Sequence, residues 1–492
     1  MNQIHRFAAT AVALAMGAGS AGAATFQISS RDAPGVGFND PTPVAPVGGN
    51  MGTTLGQQRM NAYKYVADIW GKALDSNVVI TVSAGWESLY CTSTGGFLGT
   101  AGPWNLWHDF PGGKPGTWYP AALANKLAGV NLAAAQPDDG TGYGNVDIKA
   151  QFNINLGQPG CVDGAYFYLG LDGQGGSART DFVEVLLHEL GHGLGFGLNG
   201  TDPETGWRLE PAGINVVASG GLPTIWESFM YDNTAGKAWV DMSNAERAAS
   251  AINPLQVAWR SPAMAVAAQA TLAHVPVMKV ATPAPAGSGL YPYNTAVFGA
   301  PVATGMAFGA LAPVTFNGTG AGCSAFDATS AAAVTGKVAI IDRGGCNFTV
   351  KAKNAQLAGA TGVIIASNVS GTAPGLGGTD ATVAIPVVSV SQNDGVTLKA
   401  VATAAPRYGS RARPGVASST FSTDPSRLAG ADAAGRPLLY TPNPLVGGSS
   451  VSHWDISAFP NLLMEPNINL DLTTTLVPPK DLTKPLLADL GW

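Results

Sequence analysis

The sequence predicts an α+β protein interrupted by a small mixed α/β module. Three observations lead to this reading. An amphipathic helix, several strands and a helix carrying two histidines follow one another without the regular alternation of a parallel α/β sheet. A Pro- and Ala-rich stretch at residues 276–288, PVMKVATPAPAGS, then marks a boundary. Beyond it, buried-type apolar strands enclose a helix, and near residue 416 the loop-rich pattern of the first part returns.

Residues 26–50 read as a short strand followed by a Gly/Pro/Asp-rich loop. Met60, Tyr63, Val66, Trp70 and Leu74 recur every three or four residues, which predicts a helix over 55–74. NVVITVSA at 77–84 is the strand it packs on. A loop-heavy stretch with Trp104, Trp107, His108 and Trp118 follows, then a short helix at 121–127 and strands at 146–155 and 165–171.

The next segment, residues 181–196, reads DFVEVLLHELGHGLGF. Asp181 and Glu184 have the spacing of an N-terminal cap, and Phe182, Leu186, Leu187 and Leu190 supply apolar contacts. Gly193 or Gly195 is the expected terminator. His188, Glu189 and His192 form H-E-x-x-H, placing two imidazoles on one helical face with a carboxylate beside them. Such a pair suits zinc, which takes neutral imidazoles, holds a water in an open position and lowers its pKa for a neighbouring base. A further helix is expected at 243–252, and a short one at the C-terminal LLADLGW.

Composition excludes several classes of function. The chain has 26 Lys+Arg against 32 Asp+Glu, a net charge of -6, without a basic run to neutralise phosphates. Met1 to Arg6 is positively charged, residues 7–16 are apolar and Ala21-Gly22-Ala23 offers a small-x-small cleavage site, so residues 1–23 read as a secretory signal. A secreted protein, extracellular or periplasmic and without a stable membrane anchor, is expected. Cys91, Cys161, Cys323 and Cys346 lack C-x-x-C spacing and point to disulfides in that setting. Of three possible pairings, Cys91 with Cys161 and Cys323 with Cys346 keep each bridge within one proposed domain.

Strands at 337–342, 362–366 and 385–390 and a helix at 349–358 define the module at 281–415. Its residues GKVAIIDRGGCNFTVKAKNAQLAGATGVIIASN and IPVVSVSQNDG resemble a protease-associated domain, in which the module is a non-catalytic insert that influences substrate access or binding.

A catalytic zinc takes three protein ligands, so the histidine helix supplies an incomplete set. The metzincin position for a third His, six residues after His192, is Leu198. Glu210 or Glu227 would complete a His₂Glu set; His108, His274 or His453 would complete a His₃ set. HELGHGLGF with a distant SHWD and then NLLMEP resembles the leishmanolysin-like metzincins, whose third histidine is displaced by an insertion and followed by a methionine turn. That resemblance implies a single Zn²⁺ held by His188, His192 and His453, with Glu189 as general base and Met464 as the turn residue. It also implies that a peptide substrate pairs with an edge strand before the metal helix, expected at 146–155.

The resulting expectation is a secreted zinc metalloendopeptidase acting on proteins or peptides. Its metzincin-like domain occupies 24–280 and 416–492, split by the inserted protease-associated domain at 281–415. Two rivals are a secreted binding or adhesion protein that has lost catalysis on the same fold, and a two-zinc aminopeptidase, which would not require H-E-x-x-H.

Overall fold

A computed structural model of the chain describes residues 22–93, 95–134, 146–176, 180–282, 288–314, 320–403, 407–408, 411–412, 418–469 and 471–492. The expected secretory signal lies outside them, apart from residues 22 and 23. Among the described residues, no helix is long and apolar enough to cross a membrane. The architecture is mixed α/β and divides into two compact units. One takes the described residues up to Thr271 with Arg436–Ile456 and Pro460–Trp492; the other takes Leu272–Gly435 and Ser457–Phe459.

The first unit is built on a four-stranded sheet in the order Phe26–Ser30, Ile80–Glu87, Ile148–Asn153, Gly99–Pro103. The first three strands are parallel and the last is antiparallel. The helix Leu55–Ala73 starts at Thr54, whose side chain accepts from the Gln57 amide, and buries Ala62, Tyr63, Val66 and Trp70 completely. Tyr63 packs on Phe152 of the sheet and Phe182 of the histidine helix, with ring centroids 5.9 and 6.1 Å away. This aromatic layer joins the first helix, the sheet and the histidine helix.

The position of Gly99–Pro103 corrects one expectation. The strand at 148–153 has neighbours on both sides, so the open edge belongs to GTAGP. Two glycines and a proline without apolar alternation give no strand signal. The ladder nevertheless accommodates them. Asn153 donates to the Leu98 carbonyl and Trp104 to the Asp147 carbonyl, which makes 98, 100, 102 and 104 the inward-bonded positions. Gly99, Ala101 and Pro103 therefore turn their backbone groups outward, and Pro103 sits where no ladder donor is required.

The glycines at the end of the histidine helix have a packing cause. A Cβ on Gly191 would lie 2.8 Å from Met464 Sδ, and one on Gly193 would lie 2.4 Å from Ile148 Cγ2. The helix therefore lies close against the sheet and the Met464 loop. It ends at Gly193; Gly195, with φ of 114°, turns the chain away. Trp492 donates to the Leu194 carbonyl at 2.9 Å and ties the C-terminal segment to that turn.

The second unit holds an eight-stranded sheet. Val338–Asp342, Gly362–Ala366 and Val387–Val390 lie side by side and parallel. The long antiparallel pair His274–Ala281 and Ser418–Leu428 extends the same sheet. Disulfides join Cys91 to Cys161 and Cys323 to Cys346.

Candidate metal centre

The centre begins on the helix Phe182–Gly193. Asp181 accepts from the Val183 amide at 2.9 Å, satisfying a first-turn donor. His188 and His192 stand four residues apart on one face, ring centroids 4.7 Å apart. His453 comes from the later segment. Its carbonyl accepts from the Tyr440 amide, and the next amide, of Trp454, donates to the Met464 carbonyl.

Each Nδ1 faces a main-chain carbonyl: His188 to Leu463 at 2.7 Å, His192 to Phe196 at 2.6 Å, and His453 to Ser449 at 2.9 Å. A carbonyl only accepts, so each Nδ1 carries a proton and each neutral ring presents a lone pair at Nε2. The three lone pairs converge. His192 Nε2 is 3.0 Å from His188 Nε2 and 3.1 Å from His453 Nε2.

Protonation does not relieve this crowding. Burial holds His188 down to about 3 and His192 to about 4, and drives His453 well below the usual imidazole range. Neighbouring imidazoles add to the effect at His188 and His453. A cation among the nitrogens turns the opposed lone pairs into bonds. Zn–N bonds of about 2.0–2.1 Å place tetrahedral ligands about 3.3 Å apart, close to the spacing found. The residues thus fit a metal ion, and among the described residues these three form the group whose ligand atoms all lie within 4.8 Å of one another.

The other candidate ligands have different partners. Glu227 is fully buried and paired with Arg208 at 2.5 Å. Glu210 accepts from Asn215. His108 bonds Asp109 and the Pro211 carbonyl. His274 starts an exposed strand end in the second unit.

The three histidines and Glu189 line one cleft of about 1120 Å³. Burial raises Glu189 to about 8, opposed by a hydrogen bond from the outward Ala101 amide. Glu184, five residues earlier on the helix, lines the same cleft; burial, then Asp181 and Asp471, raise it to about 7. Met464 is fully buried and its sulfur touches the helix at Gly191, which makes it a packing residue.

Several supports carry no signal in the sequence. The carbonyls of Leu463, Phe196 and Ser449 and the amide of Ala101 are main-chain groups without a sequence signature. Asp481 is a side chain, but its role emerges only in three dimensions: it accepts from the Leu463 amide at 2.7 Å, holding the residue whose carbonyl orients His188.

Comparison with known proteins places a PA domain at residues 307–398. The chain therefore carries an α/β PA-domain region inserted in sequence between His192 and His453. No curated protein matches the chain. Among solved structures, a zinc aminopeptidase from Bacillus subtilis aligns at 21% identity over 32% of this chain and 33% of its own, with a TM-score of 0.20. An aminopeptidase from Aneurinibacillus sp. strain AM-1 aligns at 18% identity over 40% and 42%, with a TM-score of 0.20. A subtilisin-like protease from Pseudoalteromonas sp. AS-11 aligns at 20% identity over 31% and 34%, with a TM-score of 0.21. These alignments span between a third and less than half of each solved chain, and at such TM-scores nothing carries over from them.

Proposed function

We propose that the protein is an exported zinc-dependent endopeptidase of the metzincin type, with His188, His192 and His453 as metal ligands and Glu189 as general base. The observation that carries this reading is the convergence of three Nε2 lone pairs beside a buried carboxylate in an open cleft. When bound, the ion supplies Lewis-acid polarisation of a carbonyl and makes water acidic enough to react near neutral pH.

The chain's own residues do the rest. Glu189 takes the proton from the attacking water and passes it to the leaving amine as the C–N bond breaks, so no covalent enzyme intermediate is required. The substrate lies along Gly99–Pro103, where the Gly99 amide and the Gly99 and Ala101 carbonyls face outward and can pair with an extended peptide. Such main-chain pairing gives affinity with little sequence demand. The protease-associated module interrupts this domain in sequence.

Incubating the zinc-loaded protein with an unfolded polypeptide and reading the fragments by mass spectrometry tests the proposal. Internal cleavage that chelation abolishes and zinc restores is expected. A zinc-loaded protein that cleaves no peptide would instead be a binding protein on this fold.

A further inference from the structure

A second pocket, of about 750 Å³, adjoins the metal cleft, and Leu198 and Asn199 belong to the walls of both. The edge strand links them: Ala101 lines the cleft and Pro103 lines the pocket. These outward positions are about 7 Å apart along the strand.

Trp104, Trp107 and Trp118 wall the pocket, and no Asp, Glu, Lys or Arg is among its described lining residues. The walls are braced. Leu106–Trp107 pairs antiparallel with Tyr119–Pro120, and the buried Trp118 donates from Nε1 to the Leu209 carbonyl at 3.1 Å. His108 stands edge-on to Trp118 with centroids 4.4 Å apart, while its Nε2 bonds the Pro211 carbonyl at 2.8 Å and ties down the rim. The Lys149 ammonium lies 5.6 Å from the Trp104 ring centroid.

We propose that this pocket is an extended subsite for an aromatic side chain of the peptide, at least two residues from the bond cleaved. The inference rests on the endopeptidase reading. A strand paired along the edge continues past Pro103 into the pocket. There an indole wall rewards a flat ring through area and edge-to-face contact. A charged side chain would lose water there, and no Asp, Glu, Lys or Arg among the described lining residues offers it an opposite charge.

The test uses zinc-loaded full chain and peptides carrying Phe or Ser at the second, third or fourth residue on either side of one cleavable bond. One Phe position should raise kcat/KM about tenfold, mainly through KM, the factor expected for about 1.4 kcal/mol of ring contact. Trp107→Ala should erase that preference. Ala212→Arg, on the exposed rim, should do so by bulk without opening the core. Equal rates for all Phe and Ser peptides, or a preference surviving both variants, would overturn the subsite.

Tryptophan fluorescence of zinc-loaded Glu189→Ala titrated with the Phe peptide separates this claim from catalysis. A saturable change lost in Glu189→Ala/Ala212→Arg, which keeps every indole, supports the pocket even where the parent cleaves nothing. The absence of a saturable change, or one produced by a neutral oligosaccharide and not by the Phe peptide, would overturn it.

Discussion

His192 and His453 are separated by 261 positions in sequence, yet their Nε2 atoms lie 3.1 Å apart. With both Nδ1 atoms bonded to carbonyls, no proton of either ring lies between them. Two opposed lone pairs at this distance suit two ligands of one ion.

Glu189→Gln keeps a side chain of similar size but cannot accept the water's proton. It should retain zinc while kcat falls by about 10²- to 10⁴-fold, the usual worth of a positioned base. Metal content and steady-state cleavage measured on one preparation check both parts.

Gly193→Ala should destabilise the protein although alanine is the better helix former. The propensity gain is about 1 kcal/mol. The new methyl group would meet the buried, branched Ile148 at 2.4 Å, and overpacking of this kind costs about 1–3 kcal/mol. Urea denaturation should show a lower midpoint.

In the metal-free protein His188 and His192 should contribute a loss of stability on acidification, opposite in sign to Glu189 and Glu184, whose raised values favour the folded state as they take up protons. His188 and His192 have folded pKa values of about 3 and about 4, below the ordinary imidazole value of 6.5. At these two residues the unfolded state therefore binds more protons between those values, and their contribution to stability falls as pH drops below about 6.5. Melting curves of chelated protein between pH 7.5 and 4 read this contribution by difference: as pH falls below about 6.5, the parent should lose stability relative to a His188→Asn/His192→Asn variant.

The Cys91–Cys161 bridge spans 70 positions and holds the segment that leads into the edge strand. Chain entropy assigns about 4 kcal/mol to a loop of that length. Cys91→Ser/Cys161→Ser should lower the denaturation midpoint accordingly, and hydrogen exchange at residues 95–101 should quicken.

Much of this architecture is legible in the sequence because it rests on side-chain patterning. The helix beginning at Leu55, the H-E-x-x-H helix and the apolar strands around 340 and 364 all announce themselves by periodicity or composition. His453 is reachable only through the resemblance of its motif, since nothing local marks a histidine as a distant partner. GTAGP escapes such a reading because its pairing satisfies backbone groups while its side chains carry almost no β signal. The strand Ser418–Leu428, with its Ser, Asp and Pro, escapes it for a similar reason. The triple glycine looks unfavourable for a helix until Ile148 and Met464 explain two of its members.

Zinc stoichiometry of His453→Ala beside the parent tests the central claim most directly. The parent should bind one zinc per chain, and His453→Ala should bind it far more weakly, losing it to a chelator concentration that leaves the parent loaded. Full occupancy in His453→Ala under those conditions would contradict the three-histidine centre.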